Sequence, residues 1–208
     1  MSEDEKDDKD DKSDKPMFIA RCIAFLFDAF LVLLLSTFIA TPFVNSEKII
    51  SLADDSRELI EKYQKKEITE NEYVVEVSNL EYQIATNMEL VTLVGIFIGL
   101  LYYVVLPIYN NGQTLGKKIM KMKIISTLGD LNANQLVFRC FVANSILLNL
   151  ISVLFIMFAS RDVYTTCVEM FTFAQYIIIA ISIMNVIVSK NGLAIHDALV
   201  HTKVVKMN

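Results

Sequence analysis

Four long apolar runs alternate with polar segments along this chain, at residues 17–44, 90–109, 136–159 and 168–188. Each run is close to the roughly 20 residues that a helix needs to cross the hydrocarbon core of a bilayer. The fourth run has the least distinct start, because residues 165–172 mix polar and apolar side chains. The pattern predicts an all-α, polytopic membrane protein with four transmembrane helices in one membrane domain, residues 17–208.

The segment between the first two runs, residues 45–89, has a helical pattern of its own. Thr69 and Glu72 have the spacing of a capping box, which marks the start of a helix. Apolar residues then recur at three- and four-residue steps, and a weaker stripe precedes the turn near residues 65–69. We therefore predict an inserted extracytoplasmic hairpin of two antiparallel helices. Its stripes either pack against each other or form a docking surface for an extracytoplasmic partner protein at residues 46–88.

Composition supports the membrane class, since 54% of the residues are hydrophobic and the mean hydropathy is +0.45. Residues 1–16 are mostly Lys, Asp and Glu, with no apolar residue after Met1, and are predicted to be a disordered charged tail. The formal net charge of −5 arises largely in that tail and in segment 45–89. No basic, aromatic-rich surface is indicated, so nucleic-acid binding is not expected.

The distribution of basic residues predicts the orientation of the chain. Lys residues cluster after the second apolar run and again in the C-terminal segment, at Lys117, Lys118, Lys121, Lys123, Lys190, Lys203 and Lys206. Short loops rich in Lys and Arg remain on the cytoplasmic side. Both termini and the second loop are therefore expected in the cytoplasm.

Asp28 is the most unusual residue of the first run, because a carboxylate inside a membrane helix costs on the order of 3 kcal/mol on insertion scales. Arg21 lies seven residues earlier, almost two helical turns, so both side chains are expected on one helix face. Intramembrane charges of this kind need a partner or a function.

Two glycine-containing motifs follow. Gly95 and Gly99 form a G-x-x-x-G pair in the second run, which favours close helix packing, within the chain or in a homo-oligomer. Residues 112–118 carry Gly112, Gln113, Gly116, Lys117 and Lys118 and continue into alternating Lys and apolar residues. This pattern is typical of a basic segment at the cytoplasmic membrane interface, in contact with the lipid bilayer.

Enzymatic chemistry is not indicated. Cys22, Cys140 and Cys167 have no partner at metal-ligand spacing, and His196 and His201 are five residues apart rather than four. The sequence therefore predicts no metal, no cofactor and no catalytic residues.

The Arg21 and Asp28 pair, the segment 112–118, and the Ile195-His196-Asp197 stretch with Thr202-Lys203-Val204-Val205 together resemble the RDD family of bacterial membrane proteins. That family is named for one Arg and two Asp, which the resemblance places at Arg21, Asp28 and Asp197; Arg139 matches a further family Arg. The resemblance implies a multi-pass protein of the bacterial plasma membrane, and transport, including sodium/proton exchange for some members.

Two functions follow as hypotheses. In the first, the protein exchanges monovalent cations for protons at Asp28, with Arg21 or Arg139 as counter-charge and Asp197 closing the cytoplasmic side. Four helices are few for a carrier, so this hypothesis requires at least a homodimer. In the second, the protein is a non-transporting adaptor or accessory subunit whose Arg/Asp cluster is structural and whose outer hairpin binds a partner.

Overall fold

The computed structural model describes residues 18–188 and 192–207, so the predicted charged tail at 1–16 lies outside the described residues. Helix accounts for 78% of the structure, which confirms the helical membrane class. A small two-stranded sheet is also present, and the sequence reasoning did not predict it.

The first apolar run forms helix α1, Phe18–Ala40, which continues as a 3₁₀ turn at Thr41–Phe43. The combined span Phe18–Phe43 is 26 residues long, enough to cross a bilayer at 1.5 Å per residue. Most of its apolar side chains are exposed on the outside of the bundle, as expected for a helix that faces lipid.

The predicted hairpin consists of helices α2, Ser46–Gln64, and α3, Glu70–Asn87. Its capping box is formed: the Thr69 hydroxyl accepts from the Glu72 N–H, and the Glu72 carboxylate accepts from the Thr69 N–H at 2.8 Å. Tyr63 and Tyr73 stack across the turn, with ring centroids 4.4 Å apart. The two helices therefore pack against each other, which is the first of the two interpretations of their stripes.

The second apolar run is one continuous span, Glu89–Tyr109. It consists of helix α4, Glu89–Leu100, a π-helical turn at Leu101–Val105 and helix α5, Leu106–Tyr109. Such wide turns inside α-helices are frequent at functional sites. Here the turn carries a tyrosine pair that faces the bundle interior.

The basic segment after this span divides into a short helix α6, Leu115–Ile119, and strand β1, Met122–Ser126. Strand β1 pairs with the C-terminal strand β2, Thr202–Lys206, in antiparallel register. A short helix α10, Ile195–Leu199, leads into β2. The sheet thus joins two segments whose paired residues are about 80 positions apart in sequence, from Ser126 with Thr202 to Met122 with Lys206.

The third apolar run, which was predicted as a transmembrane helix over 136–159, is bent in the structure. It forms helix α7, Ala133–Ala143, and helix α8, Ile146–Phe158, which meet at an angle of 73°. The break falls at Asn144 and Ser145, where Ser145 adopts a left-handed conformation with φ 56°. Asn and Ser favour helix ends over helix interiors, so the two polar residues explain the interruption.

The fourth run is longer than predicted, because its helix α9 spans Arg161–Val188. The mixed residues 165–172 are therefore helical as well. Within the described residues, three helices are long and apolar enough to cross a membrane, or four if the bent pair α7 and α8 counts as one span.

The hairpin and the sheet lie at opposite ends of the bundle. At one end, Tyr82 of α3 packs edge-on against Tyr164 in the first turn of α9, and Arg161 donates a short hydrogen bond to Asn79. At the other end, the last turns of α9 lead into α10 and the sheet. A core of buried apolar residues links the two, and it includes Ala24, Ile96, Leu136, Ile146 and Val204.

Candidate functional site

Asp28 is fully buried and is surrounded by hydrogen-bond donors. Its Oδ1 accepts from the Tyr102 hydroxyl at 2.6 Å and from the Gly116 N–H at 2.7 Å. Its Oδ2 accepts from the Thr114 hydroxyl at 2.5 Å, and the Lys117 ammonium lies 3.6 Å from the same oxygen. Three hydrogen bonds and one opposite charge therefore compensate the loss of hydration of this carboxylate.

The loop before α6 is shaped to bring these donors to Asp28. Gly112 has φ +81°, a conformation that L side chains rarely adopt, and its carbonyl accepts from the Ile124 N–H at 2.8 Å. The Gln113 side chain donates to the Met122 carbonyl at 2.8 Å. The loop is thereby fixed to β1, and Thr114, the next residue, both caps α6 and contacts Asp28.

Gly116 allows α6 to lie directly against α1. A Cβ atom at this position would clash with the Ala24 carbonyl oxygen and would lie 2.7 Å from the Asp28 Oδ1. Only glycine permits this close approach, which also places its own N–H on the carboxylate. The glycine of the predicted basic segment is therefore part of the Asp28 site.

Asp197 forms the second buried carboxylate site, at the sheet. Its Oδ1 pairs with the Arg139 guanidinium, and Thr202 bridges the two, accepting from Arg139 at 3.1 Å and donating to Asp197 at 3.2 Å. The side chain of Asp197 is 1% exposed and that of Arg139 is 12% exposed. This pair joins α7 to α10 and β2.

Arg21 contacts neither carboxylate. Its Nη1 donates to the Gly192 carbonyl at 2.6 Å and its Nη2 donates to the Val204 carbonyl at 3.3 Å. Its Nε is buried without an acceptor among the described residues. Arg21 therefore fastens the C-terminal segment to α1 through backbone carbonyls.

One cavity of about 310 Å³ connects these groups. Its charged lining residues are Arg21, Asp28, Lys117 and Arg139. Its remaining walls are mostly apolar side chains of α1, α7 and α9. In the part of the chain that the structure describes, no group of three or more His, Cys, Asp or Glu side chains could hold a metal ion.

The positive charges around the cavity affect the titratable groups at its base. Burial, together with the charge of Arg139, lowers the pKa of Lys117 to about 8, against the opposing effect of Asp28. Burial also lowers the pKa of His196 to about 2, with further contributions from Arg139, Lys117 and Arg21. His196 is therefore neutral at physiological pH, and it lies 3.9 Å from the Asp197 carboxylate.

The structure brings the four predicted charged residues to one end of the bundle, but it does not pair them as expected. The counter-charge of Asp28 is Lys117 rather than Arg21 or Arg139, so the Lys117 side chain, which is 16% exposed, points into the cavity. Lys118 is exposed, as an interfacial lysine should be.

The sequence did not predict Tyr102, Thr114 or Thr202 as partners of the two carboxylates, although Thr114 and Thr202 lie in segments that carry the family resemblance. Thr114 had a detectable signal, since a threonine before a short helical stretch is a preferred N-cap. Tyr102 had no such signal in the sequence, because a tyrosine in an apolar run cannot be distinguished from an aromatic residue that only packs or lies at the membrane interface.

Gly95 and Gly99 lie against two different helices of the same chain. The nearest atom to a Cβ on Gly95 would be the Ser36 hydroxyl of α1, at 3.9 Å. A Cβ on Gly99 would lie 2.9 Å from the Ile146 side chain of α8. Within this chain, the pair thus serves internal packing.

A sequence profile of the RDD family matches residues 15–201, a range that includes Arg21, Asp28, Arg139 and Asp197. Neither the curated proteins nor the solved structures contain a significant match to the chain.

Proposed function

Because this chain belongs to the RDD family and is an integral membrane protein, we propose that it is a non-transporting accessory protein. Its two buried charge pairs hold the helix bundle and the sheet together. Its hairpin, on the opposite face, provides the surface for a partner protein.

The contacts of Asp28 are the main support for this proposal. A carrier for Na⁺ or K⁺ must replace the water ligands of the ion with several oxygen acceptors. Asp28 is instead contacted by a hydroxyl from Tyr102, a hydroxyl from Thr114, the N–H of Gly116 and the ammonium of Lys117. All four act as donors toward the carboxylate and occupy its lone pairs, and the Lys117 ammonium would repel a cation.

The position of the two pairs also supports a structural role. Asp28 connects α1 to the π-helical turn and to α6, whereas the Arg139–Asp197 pair connects α7 to α10 and β2. Each pair thus joins transmembrane helices to the sheet-forming segments. Breaking a buried pair by removing one partner costs about 3–5 kcal/mol, so such pairs can hold an arrangement without moving ions.

Part of the apolar surface of the hairpin does not pack against the rest of the chain, and this supports the partner role. Ile50, Ile60, Val74 and Val75 are each between 45% and 61% exposed. We place the hairpin on the extracytoplasmic side and the sheet in the cytoplasm, because Lys117, Lys118, Lys121 and Lys123 precede or belong to β1.

Cation/proton exchange is the second candidate, and the cavity favours it. Asp28 lines a space of about 310 Å³ together with Lys117, whose pKa of about 8 permits proton exchange near neutral pH. On this reading the ion would have to displace Lys117 from the carboxylate. A homodimer would then supply the remaining walls of a pathway.

Proteoliposomes that contain the purified protein and an internal pH dye separate the two candidates. Under imposed Na⁺, K⁺ or Li⁺ gradients, the accessory role predicts no proton movement beyond that of protein-free vesicles. Cation-dependent proton flux that is lost in Asp28→Asn but retained in Asp162→Asn, an exposed carboxylate at the start of α9, would reject the accessory role.

The partner role is tested with a photo-crosslinking amino acid at Val75 in the native membrane. A defined crosslinked protein is expected from position 75 and not from position 118, which lies at the opposite end of the bundle. Identical products from both positions, or none from position 75, would contradict a partner-binding hairpin.

A further inference from the structure

The cavity at the sheet end of the bundle is open toward the membrane. Its walls include side chains of α1 and α9 that are exposed on the outer surface of the bundle, among them Phe25 at 48% and Ile183 at 43%. Phe18, Ile178 and Val186 complete this apolar rim. Hydrocarbon chains of the bilayer therefore have direct access to the mouth of the cavity.

The base of the cavity carries a surplus of positive charge. Arg21, Lys117 and Arg139 line the cavity together with one carboxylate, Asp28. Asp197 lies outside the lining, and each of the two carboxylates already has a cation within 4 Å. Arg21 has only backbone carbonyls as partners among the described residues. A half-buried cation at the edge of a membrane without a negative charge nearby is costly, so a mobile anion at this position would be stabilising.

The depth of the cavity matches that of lipid headgroups. Arg21 is three residues from the start of α1, and Ser182 is six residues, about 9 Å along the helix axis, from the end of α9. The charged base thus lies near the boundary between hydrocarbon core and headgroup region, while Phe25 and Ile178 of the apolar rim lie farther from the helix ends, toward the core. An amphiphile with an anionic head can contact both the charged base and the apolar rim, whereas a free inorganic anion can contact only the base.

We propose that this cavity binds the anionic headgroup of a membrane phospholipid. The phosphate lies among Arg21, Lys117 and Arg139, and the acyl chains leave the cavity between α1 and α9. A volume of about 310 Å³ is at the lower end of ligand pockets, enough for a headgroup and not for both acyl chains. The lipid would link α1 and α9 at the end where the sheet attaches, whether or not the protein transports ions.

Native mass spectrometry of the full-length protein in a non-ionic detergent tests this proposal. Phosphatidylglycerol and phosphatidylcholine with identical acyl chains are added in equal amounts, and the fraction of protein that retains one lipid is measured. We expect phosphatidylglycerol to be retained at least about tenfold more strongly. Both lipids carry the phosphate, but only phosphatidylcholine adds a positive choline group, which the surplus of positive charge at the cavity would repel.

Two pairs of variants locate the site. Arg21→Gln should reduce retention of phosphatidylglycerol about tenfold, whereas Lys118→Gln, an exposed lysine with the same change in charge, should not. Val186→Trp fills the rim and leaves every charge in place, so it should also reduce retention. Ile187→Trp, at a neighbouring residue that is 59% exposed and outside the cavity lining, is its control. If Arg21→Gln does not fold, the comparison of Val186→Trp with Ile187→Trp tests whether the lipid binds in the cavity.

Equal retention of the two lipids by the unaltered protein would overturn the proposal. So would a loss in Lys118→Gln as large as in Arg21→Gln, which would indicate attraction to the surface, or full retention in Val186→Trp. If glycerol phosphate without acyl chains displaces the lipid at equal concentration, the cavity is an anion site and the lipid assignment is wrong.

Discussion

Replacing Asp28 by Asn removes a charge and also introduces an amide donor where three donors already point. Tyr102, Thr114 and Gly116 would compete for one remaining acceptor, and the Lys117 ammonium would lose its counter-charge. We expect Asp28→Asn to lower the free energy of unfolding in detergent by about 3 kcal/mol, measured by thermal or denaturant unfolding.

The double variant Asp28→Asn with Lys117→Met separates the ion pair from the rest of the site. Because it removes both charges, it should be at least about 1 kcal/mol more stable than the sum of the two single effects. Additive effects would mean that Asp28 and Lys117 do not interact, and that another group compensates the carboxylate. In the control double variant, Asp28→Asn with Lys118→Met, the two effects on the free energy of unfolding are expected to add.

Gly116 is required for packing rather than for chain flexibility. Gly116→Ala should cost roughly 3 kcal/mol, because the added methyl group meets the Ala24 carbonyl oxygen, which belongs to the backbone of α1 and cannot move aside. Gly95→Ala is the matched control, since its Cβ would be 3.9 Å from the nearest atom, the Ser36 hydroxyl. Equal stability of the two variants would show that α6 does not lie against α1.

Local signals in the sequence were sufficient for most helices and insufficient for the two strands and for contacts between elements. The capping box of Thr69 and Glu72 depends on residues three apart, so it could be predicted from the sequence alone. The partner of Asp28 could not, because Lys117 is 89 residues away and no periodicity relates them. The same holds for β1 and β2: each is a short alternating segment whose partner is set by the folded chain.

The hairpin should be stabilised locally by its cap. Thr69→Ala removes the hydroxyl that accepts from the Glu72 N–H, which should destabilise the first turn of α3 by about 1 kcal/mol. Hydrogen exchange of residues 70–73 should accelerate, while exchange in α9 remains unchanged. Thr86→Ala, which removes a hydroxyl bonded only to the Tyr82 carbonyl of the same helix, is the control. Acceleration throughout the bundle would mean that the hairpin does not open independently.

The bend between α7 and α8 depends on one residue with a positive φ. Ser145→Gly can adopt φ 56° without a steric penalty and should change stability by no more than about 1 kcal/mol, whereas Ser145→Val should destabilise by roughly 2 kcal/mol. Denaturant unfolding of the two variants measures the difference. A valine that is tolerated as well as glycine would mean that residues 136–159 can form one straight span, as the sequence pattern indicated.

Strand pairing constrains how the whole chain crosses the membrane. Because β1 and β2 are hydrogen-bonded, residues 126 and 202 lie on one side, so the segment between them crosses an even number of times. Helix α9 has 28 residues and is long and apolar enough to cross once. We therefore predict that the bent pair α7 and α8 crosses once as well, although 13 residues of α8 alone extend only about 20 Å. This parity predicts four crossings with both described ends on the same side.

Cysteine labelling of intact cells tests the parity directly. In a variant with Cys22, Cys140 and Cys167 replaced by Ala, single cysteines are placed at Lys66 in the hairpin turn, Lys118, Leu128 and Ser160. An impermeant maleimide should label positions 66 and 160 from outside, and positions 118 and 128 only after the membrane is opened. Labelling of position 160 together with 118 would make α7 and α8 a re-entrant loop. The chain would then cross three times, and β1 could not pair with β2 across the bilayer, so the sheet itself would be wrong.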